Sequence, residues 1–103
     1  MMEKVRIAFM YVADNADPDR HHIVAPSPEH IEMNIVAVKD FEQAKKVALK
    51  LVEEGTKIIE LCGGFGYKAT AKIKDAVGDT AEIGAVRFDK HPGLNNKSGD
   101  DVF

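Results

Sequence analysis

The chain has one cysteine, four prolines and no apolar run near bilayer length. A single cysteine excludes an intramolecular disulfide and favours a reducing, cytoplasmic setting. The longest apolar stretches fall far short of the roughly 20 residues that span a membrane. Met1 to Tyr11 is too short and too charged for a signal peptide, so no export is expected. There is also no basic block: 14 Lys and Arg stand against 17 Asp and Glu, for a net charge of −3. A phosphate-backbone footprint is therefore missing, and nucleic acid is not an expected partner. The four histidines, His21, His22, His30 and His91, include no pair at helical i, i+4 spacing and no Cys or His partner at zinc-site spacing. No metal and no cofactor are expected.

What is present is ordinary globular material. At 103 residues, 45% hydrophobic and 30% charged, the chain fits one domain. Lys4 to Val12 reads as a buried strand, bounded by charges before it and by the Asp14-Asn15 loop after it. Arg20 to Ala25 reads as a short strand, Pro26-Ser27-Pro28-Glu29 as a turn, and Ile31 to Val38 as a second long strand, so the two segments can pair as a hairpin. The rival is a helical turn from Ser27 to Met33 with Pro28 at its first position.

Asp40 to Glu54 is the clearest helix. Phe41, Ala44, Val47, Ala48, Leu51 and Val52 recur at steps of three and four and form one apolar stripe. Asp40 and Gln43 have capping-box spacing, and Gly55 stands where a left-handed C-terminal cap is wanted. Lys57 to Cys62 is a third strand, Ala69 to Val77 a second helix, and Glu82 to Phe88 a last strand. The order predicts a single α/β domain over residues 1–88. Its sheet is mainly parallel, four- to five-stranded, with two main helices and an edge strand at 20–25 that can run antiparallel. Residues 89–103, rich in Gly, Asn, Asp and Lys, read as an irregular tail with an apolar end.

The strands read as near-continuous apolar runs, which implies cover on both faces. Two helices are few for such a sheet. Either the strand order reverses and the helices divide between the faces, or another subunit packs there; a homo-oligomer is expected.

Parallel sheets bind ligands beyond the carboxyl ends of their strands. That rule gathers Asp14 and Asn15 after the first strand, Lys39 after the second, Glu60, Cys62, Gly63, Gly64 and Gly66 at the third, and Arg87, Asp89 and His91 at the last. Glycine amides and a helix N-terminus favour phosphate or carboxylate. The segment is not Gly-x-Gly-x-x-Gly and lacks the Lys-Ser/Thr of a nucleotide loop; it also suits a tight strand-to-helix turn that simply needs small residues. Glu60 is either a paired structural acid or a general base and ligand-orienting group. Cys62 lies just before a helix N-terminus, where a thiol is activated, though lone cysteines are more often packed. His91 can reach the rim as an acid or base.

Leu51-Val52-Glu53-Glu54-Gly55, the run from Ile58 to Gly66, and Gly84-Ala85-Val86-Arg87 resemble a family of small uncharacterised prokaryotic proteins with a domain of unknown function. The Glu-Leu-Cys-Gly-x-Phe-Gly segment is the most specific part, and the resemblance extends from the first strand to about Phe88. It implies a compact α/β domain and supplies no catalytic role. The functional expectation is a cytoplasmic protein that binds a small anionic metabolite at the strand ends and is open to catalysis there. The alternative is a non-catalytic homo-oligomeric or partner-binding module.

Overall fold

A computed structural model describes residues 4–103; residues 1–3 of the expected 1–88 domain lie outside the described residues. The elements are β1 (Val5–Val12), β2 (His22–Ala25), β3 (Ile31–Val38), α1 (Phe41–Glu53), β4 (Ile58–Leu61), α2 (Tyr67–Val77) and β5 (Glu82–Ala85). Three short 3-10 turns follow α2 or lie in the tail, at 78–80, 92–94 and 99–101. The sheet has five strands in the order β2-β3-β1-β4-β5. β3, β1, β4 and β5 are parallel, and β2 runs antiparallel to β3. This is the α/β architecture read from the sequence.

The Pro26 to His30 segment makes a hairpin connection, closed by the Ile31 amide donating to the Pro28 carbonyl. The rival helical turn over Ser27 to Met33 does not form, because Ile31 to Met33 belong to β3. β5 stops at Ala85, short of Phe88, although the Val86 amide still donates to the Leu61 carbonyl. α2 begins at Tyr67, two residues before the apolar stripe that announced it.

α1 starts as its sequence dictates. Asp40 is the N-cap and accepts from the Gln43 amide at 2.8 Å, and the Gln43 side chain accepts from the Lys39 amide at 2.8 Å. At its other end Gly55 takes φ 103°, which an L side chain rarely adopts.

The sheet order decides which side is covered. The crossover from β3 through α1 to β4 and that from β4 through α2 to β5 step in the same direction across the sheet. Right-handed crossovers then place both helices on one face, and α1 packs against α2 there. Met10, Val36, Val38, Ile59, Leu61 and Ile73 form the heart of this core. The order does not reverse, so among the described residues no helix covers the other face. Val5, Ile7, Phe9 and Tyr11 of β1, Met33 and Ile35 of β3, and Ile58 of β4 share that face by alternation and register. None is fully buried. Among the described residues, the two-sided burial that the near-continuous apolar strands implied is met on this face only at Ala37, the neighbour of Tyr11.

Candidate functional site

Because β3, β1, β4 and β5 are parallel, their carboxyl ends form one rim. Asp14 and Asn15 lie there in an exposed turn, with Asn15 at φ 63°. Lys39 is exposed beside it, and its amide is held by Gln43. Cys62, Gly63, Gly64 and Gly66 follow β4, Arg87 follows β5, and His91 folds back above Gly63.

Glu60 is placed apart from these groups. It sits within β4, in register with Phe9 and Gly84, between the buried Ile59 and Leu61. Its position is exposed and on the open face of the sheet. The expectation of a carboxylate buried in a central strand is corrected by that geometry: with both helices on one side, alternate positions of β4 remain in water and impose no pairing requirement.

The glycine loop is small because the tail lies on it. Gly63, Gly64 and Gly66 are all buried. A side chain at Gly63 would enter the Phe88 ring, and one at Gly66 would enter the Asp100 carboxylate. Across from them, a side chain at Gly99 would collide with the Gly64 carbonyl. Phe88 and His91 pack with ring centroids 4.7 Å apart. Phe103 reaches Phe41 at the start of α1, 6.0 Å between centroids.

The N-terminus of α2 is served from the same tail. Gly66 is the N-cap and has no side chain with which to cap. Asp100 takes over: its carboxylate accepts the Lys68 amide at 2.9 Å and the Ala69 amide at 3.1 Å. Those donors and the positive end of the helix are what an external anion would use; here the chain supplies its own carboxylate. Ser98 in turn accepts the Asp100 amide at 3.2 Å and fixes the turn that carries it.

The thiol and the imidazole are also engaged. Cys62 is half-buried against the core, and its Sγ accepts from the Gly64 amide at 3.3 Å. His91 accepts the Gly93 amide on Nδ1 at 3.0 Å. Among the described residues no group of three His, Cys, Asp or Glu side chains could hold a metal ion, and no helix is long and apolar enough to cross a membrane.

Next to the loop the structure opens a cavity of about 460 Å³ between α2 and β5. Its walls are mainly apolar: Phe65, Ala71, Ile83, Ala85, Val86 and Phe88. Gly66, Tyr67, Thr70, Lys74 and Arg87 complete it. The Arg87 guanidinium lies 4.8 Å from the Tyr67 ring centre and 3.1 Å from Asp89. Tyr67 donates its hydroxyl to the same carboxylate at 3.1 Å. Lys74 is occupied by the Gly78 and Ala81 carbonyls. Arg87 and Gly66 are therefore the two rim residues from the sequence reading that border the cavity. A smaller cavity of about 250 Å³ lies at the far edge, between β2, β3 and α1.

A family model described as a family of unknown function (DUF6506) matches residues 5–101. The chain belongs to the DUF6506 family. The DUF6506 match includes the tail through Asp101, whereas the resemblance read from the sequence ended near Phe88. The segment that carries Asp100 therefore lies within the match. No curated protein and no solved structure matches the chain.

Two features of this DUF6506 chain escaped the sequence reading. Asp100 was hidden in a segment read as irregular; the available signal was Gly66, a helix start with no capping side chain of its own. The apolar cavity draws on Phe65, Tyr67 and Phe88, aromatics that flank the glycines and carry no motif.

Proposed function

We propose that the protein binds a small, largely apolar molecule bearing a carboxylate or phosphate in the cavity between α2 and β5. The observation that carries this reading is the cavity itself, about 460 Å³, apolar-walled, with the Arg87 guanidinium at its margin. Ligand sites have this size and composition, with few polar groups that fix orientation. An incoming anion would replace Asp89 on Arg87 through paired hydrogen bonds. The site stays at the strand ends, where the glycine loop first pointed, but the apolar body of the ligand becomes the main source of affinity. Cys62 and His91 each accept a backbone amide and Glu60 lies on the other face, which favours binding over turnover. The lone cysteine favours the cytoplasm as its setting.

Fluorescence titration with anilinonaphthalene sulfonate, an apolar anion, tests this reading. Arg87→Ala should weaken binding about tenfold, equivalent to about 1.4 kcal/mol. Ala71→Trp, which fills the cavity, should abolish it. Equal binding by the Ala71→Trp variant would remove the site. A second reading, a non-catalytic homo-oligomeric module, is favoured by the uncovered apolar face of the sheet.

A further inference from the structure

We infer that the ligand is an apolar monocarboxylic acid whose carboxylate takes the place of Asp89 on Tyr67 and Arg87. This rests on the cavity proposed above as the ligand site. It adds the class of ligand, a second residue that selects it and a residue that opposes it.

Tyr67 and Arg87 already grip a carboxylate. Arg87 Nη2 donates to Asp89 Oδ1 at 3.1 Å and to Oδ2 at 3.4 Å, and the Tyr67 hydroxyl donates to Oδ1 at 3.1 Å. The guanidinium lies over the Tyr67 ring, 4.8 Å from its centre, which keeps it beside that hydroxyl. Tyr67 and Arg87 both line the cavity, whereas Asp89 does not. The carboxylate of a molecule held in the cavity therefore meets the same two donors, with Asp89 as its internal competitor. Asp89 gives way readily: its side chain is 68% exposed and that of Arg87 66%, and ion pairs in water are weak. Phe88 fixes the backbone beside it, with its ring against Gly63 and His91, so release needs only rotation of the Asp89 side chain.

The charge at the grip selects carboxylate over phosphate. One cation and one neutral hydroxyl match a single negative charge. A phosphate monoester carries about −1.5 to −2 at neutral pH and calls for further donors. The nearby donors are committed. Lys74, the other cation lining the cavity, donates to the Gly78 and Ala81 carbonyls and pairs with Glu82 at 3.8 Å. The Lys68 and Ala69 amides serve Asp100, and the Gly64 amide serves Cys62. The walls set the body of the ligand. Phe65, Ile83 and Val86 have no hydrogen-bonding side chain, and the Thr70 hydroxyl donates to the Gly66 carbonyl. A hydrocarbon chain or ring suits such walls; a sugar or nucleoside would leave its polar groups unpaired.

Isothermal titration calorimetry at neutral pH with decanoate, decyl phosphate and decanol tests this. Decanoate should bind the wild-type chain more tightly than the other two. Asp89→Asn should tighten decanoate about threefold, as expected for release of an exposed ion pair, and leave decanol unchanged. Adding Tyr67→Phe to Asp89→Asn should weaken decanoate about fivefold, again with decanol unchanged; a merely structural role for either residue would move both probes. Three results would overturn the inference and leave the cavity standing: no gain for decanoate with Asp89→Asn, no loss with Tyr67→Phe, or decyl phosphate bound more tightly than decanoate. Ala71→Trp separates the two readings. Loss of decanol and decanoate binding in that variant supports the cavity as their site. Unchanged binding there, or no binding of any of the three probes to the wild type, removes the cavity and this inference together.

Discussion

Asp100 caps α2 through the amides of Lys68 and Ala69, which lie 32 and 31 residues before it. The cap gives the tail a stabilising role and closes the end of the glycine loop. Asp100→Ala should cost about 1–2 kcal/mol, since two helix-end donors lose their acceptor. Asp100→Asn, which keeps one acceptor oxygen, should cost less. Urea denaturation of the two variants gives the comparison; equal stability of wild type and Asp100→Ala would show that the cap contributes nothing.

Gly99→Ala tests the close approach of the tail to Gly64. The added methyl meets the Gly64 carbonyl, which is backbone and has little freedom to yield. A loss of about 1–3 kcal/mol is expected from overpacking. Limited proteolysis should then cut within residues 89–103 faster than in the wild type, because the tail is driven off the loop.

Phe103→Ala should remove the ring that packs on Phe41. Phe103 is half-buried, so the loss should fall near 1–2 kcal/mol, below the roughly 3–5 kcal/mol of a fully buried phenylalanine. Phe65→Ala, at a residue only 2% exposed that also stacks on Phe41 at 5.4 Å, should fall in that higher range. Thermal unfolding of both variants measures the difference.

Ile73→Ala and Leu49→Ala separate the two sides of the helices. Ile73 on α2 is fully buried, and its truncation should cost about 2–5 kcal/mol. Leu49 on α1 is 47% exposed and off the core stripe, so its replacement should stay within about 0.5 kcal/mol. A large effect at Leu49 would place α1 in an interface that the isolated chain does not contain.

Asp40→Ala isolates a locally encoded cap. The Asp40 carboxylate holds the Gln43 amide, so the expected loss is about 1 kcal/mol in chemical denaturation.

The elements most legible in the sequence are those whose contacts are short-range. α1 was read within a residue at each end because its stripe, its Asp40–Gln43 start and its Gly55 stop all lie inside the segment they define. The β2–β3 hairpin was legible for the same reason: Pro26 and Pro28 end one strand and begin the return. Glu60 was misplaced because an apolar run does not say which of its faces is buried. Ile58 and Ile59 are alike as residues, yet one is half in water and the other fully enclosed.

The sequence by itself determined the order of strands and helices, the parallel pairing that follows from right-handed crossovers, and the position of the glycines at the end of β4. Periodicity and turn chemistry are local, and they need no knowledge of distant residues. Tertiary structure alone decided the rest. The strand order β2-β3-β1-β4-β5 put both helices on one side and left Ile58 and Glu60 on the other. The return of the tail placed the Asp100 carboxylate on the amides of Lys68 and Ala69. Lys57 to Gly66 therefore does two things: its strand leaves Ile58 and Glu60 on the open side of the sheet, and its loop is closed by the chain's own acid. Contacts between residues about 30 positions apart depend on the path of the whole chain, and no local pattern encodes them.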